Sequence, residues 1–138
     1  MLLIRQSVYR DICEHMQKVS PLEGCGILGG DFLGGAENRR ADKFFAVSNA
    51  AKSPDKFIMD SQEQLSAIKA LRALDLEMVG ICHSHPRTAA YPSVHDVRLA
   101  AYEEVSYLIV SLVKKEEPLV KSFRIINGGI APEEISVV

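Results

Sequence analysis

The sequence predicts an α/β or α+β fold, a curved mixed β-sheet flanked by helices, and three observations carry that expectation. Val8, Ile12, Met16 and Val19 recur at spacings of four, four and three, which places them on one helical face. Met78 to Cys82 and Val105 to Val113 are apolar runs of strand length rather than helix length. No low-complexity tract, internal repeat or long linker appears, so these helices and strands should pack around one core.

The helical face defines a first helix from about Gln6 to Val19, which Pro21 stops. Gly24 to Gly30 is apolar and glycine-rich, a strand with close backbone neighbours, and Lys43 to Asn49 is its expected partner across a turn at Gly34-Gly35. Phe57-Ile58-Met59 forms another short strand. Asp60 or Ser61 then caps a second helix whose inner face is Leu65, Ile68, Leu71 or Arg72, and Leu74, ending near Leu76. Met78 to Cys82 is a buried strand that runs into His83-Ser84-His85-Pro86, and Pro86 keeps His85 extended. Ser93 is a good N-cap with Asp96 three residues on, so a third helix runs from Val94 to about Glu103. Val105 to Val113 and Leu119 to Ile126 make a hairpin across Lys114 to Pro118, and Ile135 to Val138 adds an edge strand. The order of strands does not follow from these patterns.

Composition narrows the function. A chain of 138 residues, 47% hydrophobic, suits one domain over residues 1–138. The net charge of -2, from 16 basic and 18 acidic residues spread along the chain, provides no basic stripe, so no nucleic-acid partner is expected. No run is long enough to cross a bilayer, and the N-terminal Met1-Leu2-Leu3-Ile4-Arg5 lacks the apolar stretch of a secretory signal, so no membrane partner is expected. Cys13, Cys25 and Cys82 form no paired framework, which points to a reducing compartment, the cytoplasm.

The chemistry concentrates after the central strand. His83 and His85 are one residue apart, so in an extended segment both imidazoles project to one side while Cys82 and Ser84 face the other. After ten intervening residues comes Asp96, in the first turn of the third helix, where the helix dipole favours a carboxylate. Two nitrogens and one oxygen make a three-ligand Zn2+ shell whose fourth position is left for water, the arrangement of catalytic rather than structural zinc. Peptide hydrolysis also needs a proton-transfer group outside that shell. Glu23 is a candidate, beside glycines that allow close approach, although spacing alone does not bring it to the metal. Ser93, at a helix N-terminus, has a hydroxyl placed to donate to an oxyanion.

These residues carry a resemblance. His83-Ser84-His85-Pro86, six residues, Ser93, two residues and Asp96 match the signature of the JAMM (MPN+) metalloproteases, and Glu23 in Pro-Leu-Glu-Gly-Cys-Gly stands where that family has its upstream glutamate. The sequence resembles the short, single-domain prokaryotic members over nearly its whole length. The resemblance implies the cytidine-deaminase-like MPN/JAMM fold, zinc on His83, His85 and Asp96, Glu23 as general acid/base, and Ser93 steadying the oxyanion. It also implies hydrolysis of peptide or isopeptide bonds after the Gly-Gly tail of a ubiquitin-like sulfur-carrier protein. With 42 residues after Asp96, a linkage-specific polyubiquitin enzyme is not expected.

Blander roles stand beside each of these. A His-x-His pair is commonly just a hydrogen-bonded strand feature, Ser93 and Asp96 form a helix cap whatever else they do, and most glutamates are solvated. Cys25 and Cys82 are expected in the core and not on the metal. His15 and His95 are expected at the surface. Arg87 and Tyr91 either border a substrate groove or belong to a solvated loop. The rival from another class is a non-catalytic MPN-type scaffold or interaction module, against which the intact ligand positions argue. A zinc nucleobase deaminase would need a Pro-Cys-x-x-Cys segment, which is absent.

Overall fold

The computed structural model describes residues 1–34 and 37–138, so the expected turn at Gly34-Gly35 lies partly outside the described residues. Among the described residues eight strands and three helices follow in the order β1 (Leu2–Ile4), α1 (Gln6–Val19), β2 (Cys25–Phe32), β3 (Arg39–Val47), α2 (Ser61–Ala73), β4 (Glu77–His85), α3 (Val94–Leu99), β5 (Ser106–Ser111), β6 (Leu119–Ile126), β7 (Gly129–Glu133) and β8 (Ile135–Val137). The strands form one mixed sheet in the order β7-β6-β5-β4-β2-β3-β1-β8. β7 and β8 are consecutive in sequence yet occupy opposite edges, so a single segment nearly closes the curved sheet on itself. A buried polar cluster reinforces the closure. Glu133 accepts from Arg39 Nη1 on β3 at 2.8 Å, Ser106 Oγ on β5 at 2.6 Å and Ser122 Oγ on β6 at 2.7 Å.

The two faces of the sheet have separate cores. α1 buries Val8, Ile12 and Met16 against Leu28, Val79, Cys82, Leu108 and Val110. Each of these side chains contributes roughly 1.5–3 kcal/mol of transfer free energy as an upper estimate. On the other face α2 seats Ala67 and Leu71 over Cys25, Ile27 and Val47. β4 lies between antiparallel β2 and parallel β5, with the last four of its residues buried. A parallel pair needs a crossover. Here residues 86–105 make it, passing over the end of β4 and carrying α3.

Several expectations need correction. α2 turns Leu65 and Leu74 outward, at 52% and 51% exposure, because small Ala67 together with Leu71 forms its inner face. It ends at Ala73, where Leu74 caps it, and α3 stops at Leu99 rather than near Glu103. Phe57-Ile58-Met59 makes only one bridge, Met59 to Asn49. β3 begins at Arg39, four residues before the expected start. β1 and β7 were not expected: β1 is too short to show alternation, and β7 contains Pro132, which only an edge tolerates. Among the described residues no helix is long and apolar enough to cross a membrane.

Candidate functional site

β4 ends in His83, Ser84 and His85, and strand alternation divides them as the sequence implies. Ser84 turns toward α1 and its Oγ accepts the Gly24 N–H at 2.8 Å, while both imidazoles face the opposite side. α3 starts with a full capping box. Ser93 Oγ accepts the Asp96 N–H at 3.0 Å, and the Ser93 N–H donates to Asp96 Oδ2 at 2.9 Å. That reciprocal cap aims the Asp96 carboxylate back at the strand end.

Three ligand-type atoms converge there. His83 Nε2 and His85 Nε2 are 3.1 Å apart, and Asp96 Oδ2 lies 3.1 Å from the first and 3.0 Å from the second. All three residues are buried. Bonds of about 2.0–2.2 Å to one tetrahedral zinc separate its ligand atoms by roughly 3.3 Å, so the observed triangle is close to a preformed shell. A proton between the two nitrogens would satisfy only one contact; a divalent cation would satisfy all three lone pairs together. His85 Nδ1 lies 2.8 Å from the Ala89 carbonyl, and donation there directs the Nε2 lone pair into the triangle. His83 is held by stacking on Phe57, with ring centroids 4.6 Å apart and planes at 25°.

The charge states suit a cation. Burial alone would raise the Asp96 carboxyl. Hydrogen bonds with His83 and His85, the charge of His83 and the Ser93 N–H outweigh it and hold the group well below the usual carboxylate range. Burial lowers His83 despite the opposing pull of Asp96. Burial also acts to lower His85, but the hydrogen bonds to Asp96 and Ala89 and the nearby carboxylates outweigh it and raise this ring.

Glu23 is only 3% exposed and its Oε1 has no hydrogen-bond partner among the described residues. Burial pushes its carboxyl up to about 8; the charge of His85 partly offsets this, and Asp96 and Asp55 add to it, so Glu23 lies within electrostatic reach of the cluster. Its backbone is fixed on both sides. The Glu23 N–H donates to Ser53 O at 2.9 Å, and Asn49 Nδ2 donates to Glu23 O at 3.0 Å. Close approach explains the neighbouring glycines. A Cβ on Gly24 would come 2.6 Å from Met16 Sδ and 2.8 Å from Val19 Cγ2, and one on Gly26 would strike the Phe44 ring.

The other candidates separate cleanly. Cys82 and Cys25 are buried in the two cores, and burial drives both thiols up, Cys25 to about 12, so neither is a thiolate ligand. Arg87 pairs with Asp55 at 2.9 Å, and Tyr91, 55% exposed, rests edge-on against Phe123. His15 and His95 are not simple surface residues. Each is half-buried, with Nε2 covered and unpaired among the described residues. Sequence reasoning missed Phe57, Asn49 and the Ala89 carbonyl, and only Asn49, beside a turn, carried any local signal. A cavity of about 310 Å³, lined by Phe57, Ile81, Leu99, Tyr107 and Ile109, opens against His83 and Asp96.

Fold and site together define a hydrolase of the JAMM type. The chain belongs to the family described as prokaryotic homologs of the JAB domain, whose model matches residues 5–126. It is 34% identical over 138 residues to the CysO-cysteine peptidase of Mycobacterium tuberculosis, covering 100% of this chain and 92% of that protein. It is 36% identical over 110 residues to the desampylase of Pyrococcus furiosus, covering 80% of this chain and 74% of that protein. A solution structure of a Desulfitobacterium hafniense protein superposes with a TM-score of 0.90 at 38% identity, covering all of this chain and 93% of that one.

Proposed function

We propose that the chain acts as a single-domain zinc metallopeptidase that hydrolyses the peptide or isopeptide bond after the Gly-Gly tail of a ubiquitin-like sulfur-carrier protein. His83, His85 and Asp96 hold the zinc. When bound, zinc supplies Lewis acidity, lowering the pKa of a coordinated water toward about 7 and polarising a carbonyl. Glu23 takes the proton of the attacking water and returns it to the leaving nitrogen. Its partnerless Oε1 leaves one carboxylate oxygen available for this, and a nearby dication favours the ionised form that a base requires. Ser93 Oγ already accepts from Asp96 N–H, so its own proton remains to donate to the carbonyl oxygen as that gains charge. The apolar cavity beside His83 takes the carrier side of the substrate, its tail extended.

The observation that carries this reading is the convergence of two imidazoles and one carboxylate within electrostatic reach of a buried glutamate whose Oε1 is unpaired among the described residues. The names of the relatives support the substrate class: besides the two above, a Thermus thermophilus relative, 28% identical over 110 residues, is named a probable TtuB-protein conjugate cleaving protease. Three free thiols support a reducing, cytoplasmic setting. The test is to offer sulfur-carrier proteins extended beyond Gly-Gly to the zinc-loaded enzyme and to weigh the products by mass spectrometry. A newly freed diglycine end is expected. Intact carriers under every loading condition would remove the proposed activity.

A further inference from the structure

The two ends of the site differ in chemistry. An apolar cavity opens against His83 and Asp96, whereas the loop bonded to Glu23 carries Asp55, which forms an ion pair with Arg87. Asp55 belongs to the loop that wraps Glu23. Ser53 O accepts the Glu23 N–H at 2.9 Å, Ser53 Oγ accepts the Asp55 N–H at 3.1 Å, and Asn49 ties this loop together through Glu23 O and Lys56 O. Arg87 lies two residues beyond His85, and its Nη2 reaches Asp55 Oδ1 at 2.9 Å. Both side chains of this pair are open to solvent, at 64% and 77% exposure. Such a pair holds little free energy, so the guanidinium can change partner cheaply.

We propose that Arg87 is a specificity residue for the leaving side of the cleaved bond, exchanging Asp55 for the free α-carboxylate of a single amino acid joined to the diglycine tail. The inference rests on the hydrolase reading above and narrows it. The leaving nitrogen must come to Glu23 to receive its proton, and Arg87 is paired with Asp55 of the loop that is bonded to Glu23. In an α-linked amino acid the carboxylate is attached to the carbon next to that nitrogen. In an isopeptide the lysine side chain presents only methylenes there. A planar guanidinium binds a carboxylate through two parallel N–H donors, which gives direction as well as charge. Arg87 thus favours removal of a terminal amino acid over release of a lysine-linked protein.

The test uses two carrier-tail peptides ending in Gly-Gly plus one amino acid, one with a free carboxylate and one amidated. Binding is measured on the zinc-loaded full chain with Glu23→Gln, and turnover on the chain with Glu23 intact. The free acid is expected to bind about ten-fold more tightly and to show the lower KM, with little difference in kcat. Arg87→Gln is expected to erase that preference, and Asp55→Asn, which frees the guanidinium, to keep or enlarge it. If the pair is only a strap, Asp55→Asn and Arg87→Gln would harm both peptides alike, which would overturn the inference. Equal binding of acid and amide by the parent chain would overturn it too. An Arg87-dependent preference in binding without any cleavage would uphold the contact and sink the hydrolase reading instead.

Discussion

His85 Nε2 and Asp96 Oδ2 lie 3.0 Å apart although ten residues separate them in the chain, and each is fixed by a second contact, His85 through the Ala89 carbonyl and Asp96 through the Ser93 N–H. Both side chains of the proposed metal site are therefore already oriented toward one another. Preorganisation of this kind reduces what metal binding must spend on ordering.

Glu23→Gln is expected to bind zinc with wild-type stoichiometry and to lose about 10²–10⁴ in kcat, because an amide cannot accept the water proton. Metal content by atomic absorption and turnover on an extended carrier check both halves. Cleavage at the wild-type rate would show that another group moves the proton.

His85→Ala removes a ligand, and both metal and cleavage are expected to disappear. A chelator should inactivate the parent enzyme and added zinc should restore it. Because the imidazoles must be neutral to bind, acidification should release the metal, and a titration following free zinc would show it. Full zinc occupancy in the His85 variant would relocate the site.

The observed cap at Ser93 and its proposed oxyanion contact are separable. Ser93→Ala is expected to cost roughly 1 kcal/mol of stability through the lost cap. Ser93→Gly, which as a cap costs only a few tenths of a kcal/mol, should still lower kcat by about 10² if the hydroxyl donates to the developing oxyanion. Urea unfolding and kinetics on the same two variants resolve them. A Gly variant with full turnover would leave Ser93 as a cap alone.

The buried Glu23 should make the metal-free protein less stable as pH rises. Its carboxyl ionises near 8 in the folded chain against an ordinary value of 4.5, so between those limits the folded state holds a proton that the unfolded state has released. That contribution is complete below 4.5, declines through the interval and is lost above about 8, a change on the order of a few kcal/mol. Unfolding of metal-stripped protein at about pH 5 and about pH 8.5 should show the decline in the parent chain, and a flatter profile in Glu23→Gln. Identical profiles would mean that water reaches the carboxyl.

Much of the architecture was legible in the residues because its signals are local. The period of Val8, Ile12 and Met16 marks α1 to the residue, and Ser93 followed by Asp96 marks the start of α3. The inner face of α2 was misread, since Leu65 and Leu74 outrank Ala67 in hydrophobicity, and only packing against β2 shows that the smaller side chain belongs inside. Phe57 was placed in a strand, whereas it belongs to the loop that covers His83.

By itself the sequence determined which side chains share a face: one-residue spacing in an extended strand puts two imidazoles together and sends Ser84 to the other side. It also determined where the third helix begins, because capping is settled within three residues. Only the tertiary structure decided that Asp96 returns to that strand, that Glu23 is buried, and that Arg87 pairs with Asp55 of the loop bonded to Glu23. Those relations depend on a parallel crossover and on a sheet nearly closed by one segment. Their free energy comes from contacts between residues far apart in the chain, which no local pattern records.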